Sequence, residues 1–179
     1  MKKIIAIFSC LLLFTGCSIT MSTPTREVEN FLGKYQKQDS EVVKQLDNVV
    51  NKDTTMNEEQ KKEYKEVMKK QYQNLTYKIK DETIDGDNAN IEVEIEVFDF
   101  YKTSKEADTE LVNNNSQFLG DDGLVDNSKF MDYKIKKLKE TKEKVTYTLN
   151  LTLTKKDKEW KMNDITDSDR EKIHGIYNY

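Results

Sequence analysis

The stretch IEVEIEV, residues 91–97, alternates apolar and acidic side chains without interruption. Successive side chains of a β-strand point to opposite faces, so this period of two predicts a strand that is buried on one side only. The positions expected on the buried face are Ile91, Val93, Ile95 and Val97. Residues 75–79 alternate in the same way, and the turn-forming run DGDN at residues 85–88 lies between the two segments. We therefore predict an antiparallel hairpin here.

A second hairpin is predicted closer to the C-terminal end. Residues 145–154 alternate again, with threonines and one asparagine on the polar face. The apolar face is expected to hold Val145, Tyr147, Leu149, Leu151 and Leu153. The run KKDK at residues 155–158 supplies the turn, and the following EWKMNDI returns with Trp160 and Met162 facing inward.

Helical spacing dominates the region before the first hairpin. Thr23 followed by Pro24 is typical of an N-cap with proline in the first turn, and apolar residues then recur up to Tyr35. Ser40 is predicted to cap a second helix with a valine-rich stripe. A third helix is predicted to begin near residues 55–57. Its apolar face is expected to hold Tyr64, Val67, Met68, Tyr72 and Leu75.

Further helices are predicted between and after the hairpins. Residues 104–119 form one amphipathic pattern, the GDDG run at residues 120–123 breaks it, and residues 128–141 form a weaker one. Ser168 and Glu171 have the spacing of a capping box, which predicts a short C-terminal helix.

These elements predict the α+β class. Two hairpins with one apolar face each need a common cover, and the N-terminal helices carry matching apolar stripes. We expect N-terminal helices packed on a curved four-stranded antiparallel sheet, with a helical insertion between the two hairpins and a short C-terminal helix. Residues 24–179 are expected to be a single domain of this kind.

The N-terminal residues have the organisation of a secretory leader. Lys2 and Lys3 precede an apolar run from Ile4 to Phe14. A helix needs about 20 apolar residues to cross a bilayer, so this run is too short for a stable span. We therefore expect residues 1–16 to be a signal peptide.

The end of this leader resembles the lipobox of bacterial lipoproteins. The quartet Phe14-Thr15-Gly16-Cys17 places small residues before a cysteine, although Phe14 stands where leucine is usual. The resemblance implies cleavage between Gly16 and Cys17 and a diacylglyceryl lipid on the Cys17 thiol, with residues 17–23 as lipidated cysteine and tether. The membrane is then the partner of this segment. An ordinary cleaved leader with a chance cysteine is the alternative.

Composition excludes several function classes. The 179-residue chain has a net charge of -4 and no basic patch, so nucleic acid is not an expected partner. Both cysteines, Cys10 and Cys17, lie in the leader region, and His174 is the single histidine. We therefore expect no disulfide, no metal site and no cofactor. The DGDN run has an EF-hand-like spacing of acidic residues but lacks the glycine that such a loop requires.

Two residue types remain as candidates for chemistry or binding. His174 could act as a general base, but no nucleophile motif such as G-x-S-x-G accompanies it, so no catalytic residue is assigned. Tyrosines recur within the predicted elements, and their apolar body with a polar tip suits a cup or an interface. They are Tyr35, Tyr64, Tyr72, Tyr77, Tyr101, Tyr133 and Tyr147.

The order of elements resembles small lipoproteins of Gram-positive bacteria with a nuclear transport factor 2-like or cystatin-like domain. The segments TPTREVENFLGKY and KKDKEWKMNDI carry the resemblance. It implies a cone-shaped fold with a pocket between sheet and helices, but no activity. We expect a non-enzymatic binding or interaction module on the extracytoplasmic face of the cell membrane. The alternatives are a pocket enzyme and a domain that contacts the cell wall or an envelope protein. The ligand and the oligomeric state stay open.

Overall fold

The computed structural model describes residues 22–179, which form six α-helices and one four-stranded antiparallel sheet. The elements in chain order are α1 Pro24–Gln36, α2 Ser40–Lys52, α3 Glu58–Gln73, β1 Thr76–Asp85, β2 Asn88–Phe98, α4 Phe100–Asn113, α5 Asn127–Glu140, β3 Lys144–Lys156, β4 Glu159–Met162 and α6 Asp167–His174. The α+β class is confirmed, with the helical insertion between the two hairpins and the short C-terminal helix. The predicted signal peptide and the lipid site at Cys17 lie outside the described residues.

The sheet is built around β2. Its strands are ordered β1-β2-β3-β4, and the alternation predicted for residues 91–97 is confirmed. The four apolar residues of this stretch, namely Ile91, Val93, Ile95 and Val97, are fully buried. On β3 the partner of Ile91 is Leu151 and that of Val93 is Leu149, so the apolar faces of both hairpins form one continuous surface.

Both hairpin turns require positive φ angles. In the first, Gly86 has φ 58° between paired residues Asp85 and Asn88. In the second, Asp157 and Lys158 have φ 54° and 71°, as a type I′ turn demands. Short polar turns of this kind match the right-handed twist of the strands that they join, which is why both hairpins close with two-residue loops.

The apolar face of the sheet is covered by α1, α3 and α6, while α2 packs on α3. Helix α1 begins as predicted, because the Thr23 side chain accepts a hydrogen bond from the Arg26 amide at 3.3 Å. Helix α3 begins with a reciprocal capping box between Asn57 and Gln60. The insertion helices α4 and α5 pack on each other, and α5 extends the helical layer by packing on α3.

Two predicted helix caps are wrong. Ser40 is the first residue of α2, and Asp39 before it accepts the hydrogen bond from the Glu41 amide at 3.0 Å. Thr166 rather than Ser168 caps α6, accepting from the Asp169 amide at 3.0 Å. In both cases two residues with capping side chains stand close together, and sequence spacing alone does not decide between them.

The first insertion helix also differs from the prediction over residues 104–119. Helix α4 begins at Phe100, because the Asp99 side chain accepts a hydrogen bond from the Lys102 amide at 2.9 Å. It ends at Asn113, and a 3₁₀ turn over Asn115–Phe118 follows. Val112, expected on the apolar face, is therefore 79% exposed, whereas Ala107 and Phe118 are buried as predicted.

A buried glutamine joins α3, the end of β2 and the C-terminal segment. The Gln71 amide donates from Nε2 to the Phe98 carbonyl at 2.9 Å and to the His174 carbonyl at 3.0 Å. Its Oε1 accepts from the Phe98 amide at 2.9 Å. Gly175 lies against this junction with φ 72°, and a Cβ atom there would stand 2.2 Å from the Phe98 carbonyl oxygen.

We expect Gly175→Ala to lower the free energy of unfolding by at least about 2 kcal/mol, because left-handed backbone strain adds to a backbone clash. Urea unfolding followed by circular dichroism measures this. Gly33→Ala is the matched control, since Gly33 is helical and a methyl group there would meet nothing within 4 Å outside its own helix backbone. That control should raise stability by roughly 0.5–1 kcal/mol. If the two substitutions changed stability equally, the close contact of Gly175 with the Phe98 carbonyl would not be what requires glycine there.

Candidate functional site

A groove among the helices is the most enclosed apolar concavity near candidate residues. Its inner end, the tyrosine–histidine pocket, has a volume of about 150 Å³ and is lined by Tyr35, Leu46, Tyr64, Tyr72, Arg170 and His174 among others. Its outer end, the apolar trough, has a volume of about 330 Å³. The trough is lined chiefly by Met56, Phe100, Met131, Ile135 and Leu138. Both ends share Val49, Val50, Tyr64 and Ile176, so they form one continuous groove.

The groove lies between helices rather than between helices and sheet. Its described lining comes from α1 to α6 and the loops beside them, without a strand residue. The resemblance to cone-shaped domains placed the pocket against the sheet. In this chain the sheet face is filled instead, because residues such as Ile95 and Leu149 pack directly under α1, α3 and α6.

Three aromatic rings form the floor of the tyrosine–histidine pocket. The Tyr72 ring meets Tyr35 edge-on at a centroid distance of 5.2 Å and lies 5.6 Å from the His174 ring. The Tyr72 hydroxyl and His174 Nε2 share a hydrogen bond of 3.1 Å. Each ring comes from a different helix, namely α1, α3 and α6, so the floor exists only in the assembled fold.

Tyr35 offers a free polar group to the pocket. The residue is only 5% exposed, and its hydroxyl makes no hydrogen bond to another residue in the part of the chain that the structure describes. No fully buried polar side-chain atom among residues 22–179 lacks a partner. Tyr35 lines the tyrosine–histidine pocket, where its hydroxyl can donate a hydrogen bond to a ligand atom.

His174 is neutral at physiological pH. Burial lowers its pKa from the ordinary value of 6.5 to about 4, and the nearby Arg170 cation acts in the same direction. Burial raises the pKa of Tyr72 well above its ordinary value, so this hydroxyl stays protonated. A general base works best when its pKa is close to the working pH. His174, which the sequence analysis considered as a general base, is therefore poorly suited to that role.

Arg170 supplies the cation at the rim of the pocket. Its side chain is 44% exposed, and its described ion pair is a long contact of 4.0 Å between Nε and Asp167 Oδ1. The terminal guanidinium nitrogens make no hydrogen bond to any residue from Ser22 onwards. The charge is nevertheless close enough to lower the pKa of His174 and to oppose the upward shift of the Tyr35 pKa.

Charges at the outer end are already paired. Lys134 Nζ lies 3.0 Å from Asp108 Oδ1, and the Asp53 carboxylate accepts two hydrogen bonds from Thr55. The remaining wall is apolar, and Val49 stands 71% exposed above it. The groove therefore combines, at its inner end, a guanidinium whose terminal nitrogens have no hydrogen-bond partner among residues 22–179 with a largely apolar trough at its outer end.

The structure places the other sequence candidates elsewhere. Tyr77, Tyr101, Tyr133 and Tyr147 lie outside the groove lining. Glu94 and Glu96 on the wet face of β2 pair with Lys80 at 3.2 Å and Lys144 at 2.9 Å. The DGDN run is a hairpin turn. Among residues 22–179 no group of three or more His, Cys, Asp or Glu side chains could hold a metal ion.

A larger depression of about 560 Å³ lies where the chain enters the domain, between α1 and β4. Its lining mixes both signs of charge, including Arg26, Glu27, Lys34 and Glu159. Ser22 also lines this depression, and the Trp160 amide donates a hydrogen bond of 3.1 Å to its Oγ atom. This depression is more open than the groove and would enclose less of a ligand, so the groove is the better candidate site.

Comparisons with known proteins add little to this geometry. No protein-family model matches the sequence, and no curated protein matches it. The fold is similar to the crystal structure of a candidate lipoprotein from Bacillus subtilis, with 12% sequence identity and a TM-score of 0.45. The likeness covers 88% of this chain and 48% of that protein, so the chain spans about half the length of the protein it matches. At this identity and score the likeness carries no argument about function.

No helix among the described residues is both long and apolar enough to cross a membrane.

The low pKa of His174 predicts a pH-dependent stability. Between about 4 and 6.5 the unfolded chain binds the proton and the folded chain does not, so folding is weakened as the pH falls. We expect this group to cost about 2 kcal/mol of stability on going from about pH 7.5 to about pH 5. The His174→Gln protein lacks this titrating group, so it should lose about 2 kcal/mol less stability over the same pH interval. Urea unfolding at the two pH values measures the difference, and parallel losses in both proteins would refute it.

Proposed function

We propose that the protein is a lipid-anchored extracytoplasmic lipoprotein of a Gram-positive-type bacterium that binds a ligand in the helical groove without chemical conversion. The observation that carries the binding role is a groove in which the Tyr35 hydroxyl and the terminal nitrogens of Arg170 have no hydrogen-bond partner among residues 22–179. Pockets of this kind combine apolar walls with a few polar groups that orient the ligand.

The anchor is supported by the sequence before the domain. The lipobox-like quartet at residues 14–17 ends five residues before Ser22, the point at which the chain is bound to β4. The intervening backbone can extend to at most about 17 Å. Ser22 and Thr23, which were expected to belong to the tether, are part of the domain, because Ser22 is bonded to β4 and Thr23 caps α1.

A pocket enzyme is the weaker alternative. His174 is neutral with a pKa of about 4, its Nε2 is bound to the Tyr72 hydroxyl, and the described groove lining contains no cysteine. Ser104 lines the trough but stands apart from the tyrosine–histidine pocket that contains the histidine. The described lining of the tyrosine–histidine pocket thus offers no serine, threonine or cysteine that His174 could activate as a nucleophile.

The anchor predicts that Cys17→Ala abolishes incorporation of radioactive palmitate into the protein in growing cells. Cys10→Ala is the matched control, because Cys10 lies inside the predicted signal peptide and should be removed with it. The control protein should keep full label and stay in the membrane fraction. Equal label in the Cys17→Ala and unsubstituted proteins would contradict the anchor.

The binding role predicts that a neutral long-chain alcohol carrying a photoreactive diazirine labels groove peptides of the full-length protein in detergent micelles. Val49→Glu should lower this labelling about tenfold or more, because an unpaired charge against the alkyl chain is costly. Val112→Glu is the matched control, since Val112 is 79% and Val49 71% exposed and both are helical.

Peptide mass spectrometry quantifies the labelling of the Tyr64, Met131 and Ile135 regions. The micelles take up the same share of probe with each variant, so differences report on the groove. Unchanged labelling in Val49→Glu would remove the groove as the binding site.

A further inference from the structure

The inner end of the groove is built for an anion. Arg170 is the cation in its lining, and no carboxylate lines the same pocket. Its guanidinium can present two parallel N–H donors, because its described ion pair uses only Nε at 4.0 Å. The Tyr35 hydroxyl adds a neutral donor, since burial raises its pKa and keeps it protonated. A cationic ligand head would meet repulsion from Arg170 here.

The groove is elongated along α2. Its α2 lining begins at Val42 in the tyrosine–histidine pocket and ends at Val50, and Asp53, just after the helix, lines the apolar trough. The eight helical steps from Val42 to Val50 correspond to about 12 Å. A single ring would fill one end of such a groove, whereas an extended alkyl chain would contact both.

The outer end accepts a flexible apolar tail and no second head group. Met56 and Met131 line it, and their unbranched side chains adapt to irregular shapes. Of its two charged residues, Lys134 is ion-paired with Asp108, and Asp53 is a carboxylate that accepts hydrogen bonds from Thr55 and would repel an anionic group. The ligand should therefore be charged at one end only.

From this asymmetry we infer that the groove binds a free long-chain fatty acid, with its carboxylate on Arg170 and the Tyr35 hydroxyl and its alkyl chain along Val49 and Ile176 into the trough. The inference rests on the proposed binding role of the groove and names its ligand class and its selecting residue. It does not depend on the lipid anchor, because the groove and the proposed tether are separate parts of the chain.

The test compares two photoreactive probes of equal chain length, a fatty acid and the corresponding alcohol. The full-length protein is kept in detergent micelles at alkaline pH, where the acid is ionised. Labelling of groove peptides is measured against probe concentration. We expect the acid to bind about tenfold or more tightly than the alcohol, because a charge-assisted hydrogen-bond pair distinguishes them.

Arg170→Gln should remove this preference by weakening acid labelling about tenfold more than it weakens alcohol labelling. Arg170→Lys, which keeps the charge but loses the two-pronged geometry, should fall between. Arg26→Gln is the matched control, because Arg26 is the other arginine of the chain and lies near the N-terminal end of α1. Circular dichroism confirms that each variant is folded, and the 44% exposure of Arg170 makes misfolding unexpected.

The outcomes separate the inference from the proposed function. The fatty-acid assignment is overturned if the acid and the alcohol bind equally, or if the preference for the acid survives in Arg170→Gln. In either case, labelling of groove peptides by the alcohol still supports the binding role. If neither Val49→Glu nor Arg170→Gln changes the labelling, the fatty-acid assignment and the binding role of the groove are both overturned. An acid preference lost in Arg170→Gln and kept in Arg26→Gln supports the inference.

Discussion

The hydrogen bonds of one fully buried amide, that of Gln71, hold the two halves of the domain together. This side chain connects α3 with the last residue of β2 and with the end of α6, using both its donor and its acceptor atoms. A buried amide that lost these partners would leave backbone groups of Phe98 and His174 unsatisfied, which is costly in an apolar interior. Gln71 thus adds buried hydrogen bonds to the apolar packing between the sheet and its helical cover, and Gly175 lets the chain pass this junction closely.

The groove is a consequence of that junction. Because Gln71 fixes the carbonyl of His174, the α6 helix presents His174 and Arg170 towards α2 rather than towards solvent alone. Tyr72, the next residue after Gln71, then meets the histidine ring, and Tyr35 closes the floor from α1. The polar groups of the site are therefore positioned by the same contact that stabilises the fold, so pocket geometry and stability cannot be changed separately at Gln71.

Much of the fold follows from short-range patterns. The alternation of residues 91–97 determines a strand because slipping it by one position would place glutamates in the core. The beginning of α4 could not be read in this way, since Phe98 and Phe100 continue the apolar run of β2, and a capping contact from Asp99 decides where the strand ends. Of the seven tyrosines considered suited to a cup or an interface, Tyr35, Tyr64 and Tyr72 line the groove. Their convergence with His174 depends on helices far apart in sequence, and Gln71 in the run KKQYQ resembles an exposed helix residue.

Helix α1 separates the place where the chain enters the domain from the place where a ligand would bind. Ser22 is held on β4 beside its first turn, and Tyr35 lies in its last turn, about 18 Å further along a rigid rod. The two ends of α1 are thus held apart by one helix, so the Ser22 contact with β4 can be altered without moving the Tyr35 ring that lines the groove.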